Sequence, residues 1–324
     1  MKPKSVLCRA AALLAAVTAA PVYAWDAMPA YNQGTLARSF ALPIIGESVV
    51  SGRGQFTRSF DYDLTTEYYA DNNASENLVV DGETSMFTLG ARYGIGHNLE
   101  LSARVPVLVV GGGFMDHFIE QWHKTFGLPN GGREYAARDQ RQYRYVRNGV
   151  TVLDEQGGSG TSLGDVQLGA GWQLSPGVAL RGAIKLPTGR ESRLTGGNWG
   201  GALWSDLALP FASDSTFDGF ASLGVTVAQR SDVLRDQQRN AAIFGGTGVG
   251  YQLTTALQLR GQIYAHSALY RDSELDGLRK PGLQLSLGGS YRATPGVRLD
   301  LFFQEDAVTN SSPDFSLHLG ASWR

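Results

Sequence analysis

The chain has 324 residues, with 28 basic residues, 30 acidic residues and a formal charge of −2. This balance lacks the basic excess expected of a nucleic-acid-binding protein, so no nucleic-acid partner is predicted. The only cysteine is Cys8, which rules out a disulfide framework. With 41 glycines and little helical patterning, three β-rich classes remain: a soluble sandwich, a β-helix or an outer-membrane barrel.

The N-terminus has the pattern of a secretory signal peptide. Three basic residues precede an apolar run over 10–20, and Val22-Tyr23-Ala24 resembles a small-residue cleavage site. The run is too short to span a membrane as a helix. We predict a signal peptide over 1–24, a periplasmic segment or plug over 25–46 and a barrel over 47–324. Removal of the signal peptide takes away the only thiol.

Alternation of apolar and polar residues predicts strands through the rest of the chain. In the stretch 282–293, for example, Leu283, Leu285 and Leu287 oppose Gln284 and Ser286, a period of two. Twelve such segments, most of a length suited to tilted membrane strands, are found. They are roughly 47–62, 82–93, 98–109, 163–174, 177–187, 201–212, 217–229, 240–253, 256–267, 282–293, 296–306 and 313–324.

The connections between these segments alternate between short turns and long loops. This sorting predicts an all-β, up-and-down antiparallel transmembrane barrel of about 12 strands, with its short turns in the periplasm. The last strand alternates as outer-membrane proteins usually do, although it ends Trp323-Arg324 instead of on an aromatic residue. We therefore expect the outer membrane of a Gram-negative bacterium, and insertion by the barrel-assembly machinery.

Charged residues fall on one face of the predicted strands. Charges facing lipid are costly, so this face is predicted to line the lumen. These side chains either pair across the interior and fill it, or line a water-filled path. They are Arg92, Glu100, Arg104, Asp165, Arg181, Lys185, Asp206, Arg260, Arg292, Arg298, Asp300 and His318.

The longest predicted extracellular loop, 110–162, contains one amphipathic helix between glycine-rich ends. Its packing face is Phe114, Phe118, Ile119, Trp122 and Phe126, which recur at helical spacing. Its polar face is Asp116, His117, Glu120 and His123. Carboxylate and imidazole at this spacing can bind a divalent metal or move a proton. The alternative is the polar side of a helix that docks on the barrel or in the outer leaflet.

Four arginines alternate with tyrosines after the helix, in RDQRQYRYVR (138–147). Facing outward, they can grip lipopolysaccharide phosphates; alternatively, they belong to a strand extension above the membrane. No Ser/His/Asp constellation can be argued for an enzyme, because His266-Ser267 and Ser316-Leu317-His318 lack a suitable arrangement. We predict no cofactor and no resident metal.

Several motifs resemble a domain-of-unknown-function family of Gram-negative outer-membrane β-barrels. The densest match is GGFMDHFIEQWHKTFGLPNGGRE (112–134); the others are DGET (81–84), LGARYGI (89–95), LELSARVPV (99–107), YRYVRNG (143–149), SLGDVQL (162–168) and KLPTG (185–189). YNQGTL (31–36) departs from the pattern, since it lacks a proline after Asn-Gln. The resemblance implies a barrel in the outer membrane and brings no reaction.

Three functions are consistent with this sequence. The first is a porin-like channel or transporter for small solutes, gated or constricted by the 110–162 loop, with the lumen charges setting selectivity. The second is an enzyme acting on outer-membrane lipid through the polar face of the loop helix. The third is a non-catalytic barrel that binds lipopolysaccharide, other outer-membrane lipids or a surface partner.

Overall fold

The computed structural model describes residues 27–127, 132–212, 215–307 and 311–324. The predicted signal peptide lies outside this part of the chain. Within it, twelve antiparallel strands form a closed barrel, in which each strand pairs with the next along the wall. The wall strands are β1 (Phe56–Asn72), β2 (Glu76–Gly96), β3 (Leu99–Gly111), β7 (Gln167–Ser175), β8 (Val178–Lys185), β9 (Gly200–Ala208), β10 (Phe217–Ala228), β11 (Ala241–Gln252), β12 (Leu257–His266), β13 (Gly282–Thr294), β14 (Val297–Asp306) and β15 (Phe315–Trp323).

The barrel closes between its first and last strands. β1 pairs with β15 from Arg58 opposite Trp323 to Thr66 opposite Phe315. Three further strands extend the wall at one end: β4 (Gln142–Arg147), β5 (Val150–Gln156) and β6 (Gly160–Leu163). β4 pairs with the start of β2, β5 pairs with β4, and β6 pairs with the end of β3. The 12-stranded, up-and-down barrel predicted from alternation is confirmed.

The two faces of the wall differ in polarity as the period of two requires. In β10, Leu223, Val225 and Val227 are exposed on the outer surface, whereas Ser222 and Thr226 are buried inside. Every wall strand has at least one neighbour on each side, so the sheet presents no unpaired edge around the barrel.

Short turns lie at one end of the barrel and long loops at the other. Turns such as 97–98, 176–177 and 295–296 define the short-turn end. The long-loop end carries the connections 112–141, 186–199, 229–240, 267–281 and 307–314. The prediction of a loop over 63–81 is wrong for most of this range, because β1 continues to Asn72 and β2 begins at Glu76.

Two helices lie in the long loops: α1 (Asp116–Phe126), which begins and ends within the predicted helical region, and α2 (Asp276–Arg279). Short 3-10 turns occur at Leu36–Ser39, Arg133–Tyr135 and Glu191–Arg193. Among the described residues, no helix has the length and apolar character needed to cross a membrane.

The first predicted strand, 47–62, is displaced to 56–72. Residues 27–55, which we call the lumen segment, precede β1. The segment lies inside the barrel up to about residue 50, and its last residues, 52–55, are exposed beside Gly94 at the short-turn end. Their apolar side chains Phe40, Leu42 and Ile45 belong to the main buried cluster together with Phe220 and Phe244 from the wall. The interior is therefore a packed core that the lumen segment completes.

Candidate functional site

The lumen segment first runs toward the long-loop end. Gln304 donates to the carbonyl of Tyr31 at 3.3 Å, and Asn32 Nδ2 lies 2.7 Å from His266 Nε2. The backbone N–H of Thr35 then donates to the carboxylate of Glu67 at 2.9 Å. Because Glu67 is near the end of β1 that is remote from the short turns, the segment has crossed most of the barrel by this point.

The segment reverses at the 3-10 turn Leu36–Ser39. Arg38 donates to the Thr84 hydroxyl at 2.8 Å, and the Tyr270 hydroxyl donates to the carbonyl of Leu36 at 2.8 Å. The Ser39 and Ser231 hydroxyl groups are 3.1 Å apart. Contacts from several sides of the wall thus hold the tip of a folded-back loop.

The returning part of the segment leads back to the short-turn end. The N–H of Gly46 donates to Asp206 Oδ1 at 2.8 Å, and that of Val50 donates to Gln173 Oε1 at 2.8 Å. Gly46 has a φ of 96°, and a Cβ there would lie 3.0 Å from the Phe220 ring. Glycine is needed at this position both for the backbone conformation and for the close approach.

This path includes the described part of residues 25–46, for which a periplasmic segment or a plug was expected. The described part of that range lies within the lumen, because its backbone and polar side chains find their hydrogen-bond partners on the inward faces of the strands. A buried backbone requires such partners, and the barrel interior supplies them. Sequence alternation cannot report this placement, since the segment has no regular secondary structure apart from one 3-10 turn.

Most of the predicted lumen charges take part in ion pairs or polar contacts inside the barrel. Their contacts are Arg92–Glu47 (2.6 Å), Arg181–Glu100 (2.8 Å), Arg181–Asp206 (3.3 Å), Lys185–Asp165, Arg298–Asp300 (2.9 Å), Arg260–Asp300 (4.0 Å) and His318–Asp63 (2.7 Å). The Arg104 guanidinium lies over the Tyr31 ring at 5.3 Å. Arg292 is exposed near the short-turn end.

Several of these contacts join the wall to the lumen segment. Glu47, in the segment, is held by Arg92 and by Arg181, whose Nη1 lies 3.5 Å away. Arg181 also donates to the Glu47 carbonyl at 2.9 Å. Glu100 accepts from the Ser51 N–H at 2.7 Å. The arginine and carboxylate side chains therefore anchor the segment as well as neutralising one another.

Glu47, Asp61, Asp63 and Glu67 are interior groups that sequence reasoning missed. Asp61 and Asp63 alternate with Tyr62 and Leu64, a signal that was obscured because the predicted strand ended at residue 62. Alternation did not indicate Glu47 or Glu67 as interior residues. Glu47 is in the lumen segment, and Glu67 was assigned to a loop.

A cavity of about 130 Å³ remains beside the lumen segment, toward the short-turn end. It is lined by residues of the segment, including Pro43 and Glu47, and by wall residues, including Arg104, Arg181 and Asp300. A second, of about 60 Å³, lies between Tyr31, Arg38 and Lys185. The segment thus fills most of the interior but leaves polar spaces along its path.

The loop helix α1 lies outside the barrel. Ile119 is fully buried and belongs with Met115 to a cluster that includes Leu64 of β1 and Phe315 of β15. Trp122 packs against Phe303, with ring centroids 5.3 Å apart. These strand residues point outward, so α1 covers the outer surface near the barrel seam.

The predicted packing face of α1 is only partly buried. Ile119 and Trp122 contact the wall, whereas Phe114, Phe118 and Phe126 are 68%, 45% and 61% exposed. The helix begins where Glu83 accepts from the N–H groups of Phe114 (3.3 Å) and Met115 (3.1 Å). It ends at Gly127, whose φ of 71° is the left-handed conformation typical of a helix C-terminus.

The predicted polar-face residues of α1 do not converge on one site. Asp116 pairs with Arg133, and Arg133 also pairs with Asp314 at 2.6 Å. Glu120 pairs with Arg138, whose hydrogen bond holds the pKa of the Glu120 carboxyl below its ordinary value. The two histidines of this face lie in different environments. His123 is buried, with its Nε2 3.9 Å from Glu305, whereas His117 is exposed. Among the described residues, no group of three or more His, Cys, Asp or Glu side chains is arranged to hold a metal.

The closed 12-stranded barrel is similar in fold to solved outer-membrane channels. The chain is similar to the crystal structure of the COG4313 outer membrane channel from Pseudomonas putida F1. The TM-score is 0.56 at 13% identity, over 86% of this chain and 98% of that one. At this identity the likeness shows the fold.

The chain belongs to the family described as proteins of unknown function, DUF3187, whose model matches residues 5–324. No curated protein sequence matches the chain. The CymD monoaromatic hydrocarbon channel is a more distant structural relative, with a TM-score of 0.43 at 13% identity over 91% of this chain and 94% of that one.

Proposed function

We propose that this protein is an outer-membrane channel or transporter for small solutes, closed by its own lumen segment. The short-turn end then faces the periplasm and the long loops face outward. The chief support is the way in which the segment fills the lumen: it is folded back on itself, and many of its contacts are hydrogen bonds and ion pairs. Water can replace such contacts when the segment moves, because a polar group that exchanges a protein hydrogen bond for one to water loses little free energy.

The gating element proposed here differs from the one predicted from the sequence. The 110–162 loop was expected to constrict the path, but α1 packs on the outer surface of β1, β14 and β15. A helix there cannot block the interior. The control of solute passage is therefore assigned to residues 27–55.

The lipid-modifying alternative receives no support from the loop helix. Asp116 and Glu120 are each paired with an arginine, and the two histidines lie in different environments. The polar side chains of α1 are held in separate contacts and do not form the nucleophile–base arrangement that catalysis requires. We propose that the segment 112–134 is a distinctive sequence feature of the family, without a catalytic role.

Planar-bilayer recordings test the channel proposal. Deletion of residues 30–46 removes the tip of the lumen segment and keeps the contacts of residues 47–55 near the short turns. We expect this variant to show stable, larger conductance than the full protein. The strands still form an intact barrel, and the path through it is no longer filled. Deletion of 114–126 is the matched control and is expected to leave conductance unchanged.

Folding of each variant is checked by the gel-mobility shift on heating that closed barrels show. If correctly folded protein lacking 30–46 does not conduct, the proposal fails. If deletion of 114–126 is the change that opens the channel, the loop helix is the gate and the assignment to the lumen segment is wrong.

A further inference from the structure

The outer surface beneath α1 forms an apolar groove that the channel proposal does not use. Its volume is about 1190 Å³, at or above the upper end of the range for small-molecule pockets. Phe118 and Trp122 form its upper edge, and Leu257, Leu287 and Leu301 lie along the wall below. The groove therefore follows the outward faces of β12 to β15 from the helix toward the short-turn end.

The helix above the groove has the form of an interfacial helix. Phe118 is exposed and lines the groove, while His117, Gln121 and Lys124 are exposed elsewhere on the helix. Aromatic residues beside cationic residues suit the boundary between acyl chains and headgroups. The position of α1 next to the wall places this boundary near the long-loop end.

The helix is fixed in place on the wall. Arg133 joins Asp116 at the start of α1 to Asp314 at the start of β15, and Ile119 is fully buried against the barrel. The edge of the groove is thus pre-formed, so a bound molecule need not order it, and a pre-organised site binds at lower entropic cost.

Cationic groups line the headgroup side of this surface. Lys124 is one helical turn beyond Glu120, is exposed, and pairs with no carboxylate of the described residues. Arg138 is 52% exposed and bonds to Glu120 through two of its nitrogens. Arg133 is buried and paired with Asp116 and Asp314, so the exposed positive charge beside α1 comes from Lys124 and Arg138. This charge favours an anionic headgroup, and arginine and lysine bind phosphate well.

We infer that α1 and the groove beneath it hold one molecule of a phosphorylated glycolipid of the lipid A type, with acyl chains in the groove and a phosphate against Lys124 and Arg138. This inference rests on the outer-membrane location proposed above. Lipid A is chosen over a phospholipid because it carries both several acyl chains for a groove of this size and more than one phosphate.

Native mass spectrometry of the full protein in detergent tests the assignment. Purified, delipidated protein is incubated separately with lipid A, phosphatidylglycerol and phosphatidylethanolamine. We expect a retained one-to-one adduct with lipid A and weaker adducts with the two phospholipids. Phe118→Ala combined with Trp122→Ala is expected to lower lipid A retention about tenfold, and Lys124→Gln combined with Arg138→Gln by a similar factor.

Matched controls use equivalent residues elsewhere on the barrel. Phe217→Ala removes an exposed aromatic side chain that packs on Tyr251 near the short-turn end. Arg235→Gln removes an exposed arginine paired with Asp232 in the 229–240 loop. Neither is expected to change lipid A retention.

Equal retention of phosphatidylglycerol overturns the choice of lipid A. Absence of any adduct, or retention unchanged in both double variants, overturns the site itself. Conductance is measured on the same preparations and keeps the two proposals apart. If the full protein retains no lipid A but deletion of 30–46 still raises conductance, only this inference is contradicted. If lipid A is retained but deletion of 30–46 does not raise conductance, only the channel proposal is contradicted.

Discussion

At the scale of single residues, Arg133 connects the long loop to the barrel seam. It is nearly fully buried, bonds to Asp116 and Asp314, and lies 5.5 Å above the Tyr68 ring. Burial raises the pKa of the Asp314 carboxyl to about 6, and the neighbouring Arg133 opposes that shift. One guanidinium thus compensates two carboxylates and ties α1 to the seam between β1 and β15.

Arg133→Gln is expected to release α1 from the wall. Removing one partner of a buried ion pair leaves the other charges uncompensated and costs about 3 kcal/mol. Limited proteolysis between residues 112 and 141 should become much faster, while the heat-dependent gel shift of the barrel remains. Arg138→Gln affects an exposed pair, so it should change cleavage little. Equal resistance of the wild-type protein and Arg133→Gln would show that the helix is held by its apolar contacts alone.

At the scale of elements, the lumen segment depends on a few polar anchors near its returning end. Glu47 is held by Arg92 and Arg181, and Gly46 by Asp206. Ser48, next to them, is fully buried. Such a segment is expected to open locally at a lower free energy than the wall, because it has few backbone hydrogen bonds to its neighbours.

Glu47→Gln is expected to increase this local opening. Loss of two ion pairs of roughly 1–2 kcal/mol in total raises the open population about fivefold to thirtyfold. A cysteine introduced by Ser48→Cys reports the opening through its rate of maleimide labelling, since the natural Cys8 lies in the predicted signal peptide. The exposed loop variant Ser159→Cys should label equally fast in both backgrounds. Unchanged labelling of Ser48→Cys would mean that Glu47 does not anchor the segment.

At the scale of the whole molecule, an apolar outer surface surrounds a charged interior. Leu223 in the middle of β10 is 66% exposed, and lipid covers it in the proposed orientation. Phe217, at the start of the same strand, lies at the short-turn end. The two positions therefore sample different depths of the membrane in the proposed orientation.

Arginine substitutions at these two depths test that orientation. Leu223→Arg is expected to lower the free energy of unfolding by about 2–4 kcal/mol, whereas Phe217→Arg near the interface should cost about 0–1 kcal/mol from charge burial. Urea-dependent folding into lipid vesicles measures both values. Equal costs at the two positions would contradict the placement of β10 across the bilayer.

The sequence predicted the wall far better than it predicted what the wall contains. Alternation located eleven of the twelve wall strands and the beginning of the first, because outward residues such as Leu223 and inward residues such as Ser222 lie in environments of different polarity. The lumen segment could not be found in this way: Glu47 and Gly46 are placed by long-range contacts with Arg181 and Asp206, which leave no local period. Likewise, the spacing of Phe118, Ile119 and Trp122 predicted a helix but not the side of the wall on which it lies.

The folded-back course of residues 27–55 has a consequence for assembly. The two limbs of the segment line the same cavity near the short-turn end, at Ala27 and Glu47, and its tip lies deep inside. A loop of this shape enters a finished cylinder from one mouth without threading a chain end through it. Pairing of β1 with β15 and entry of the segment into the lumen can therefore be separate folding steps. An intermediate between these steps would be a closed barrel with an unfilled lumen.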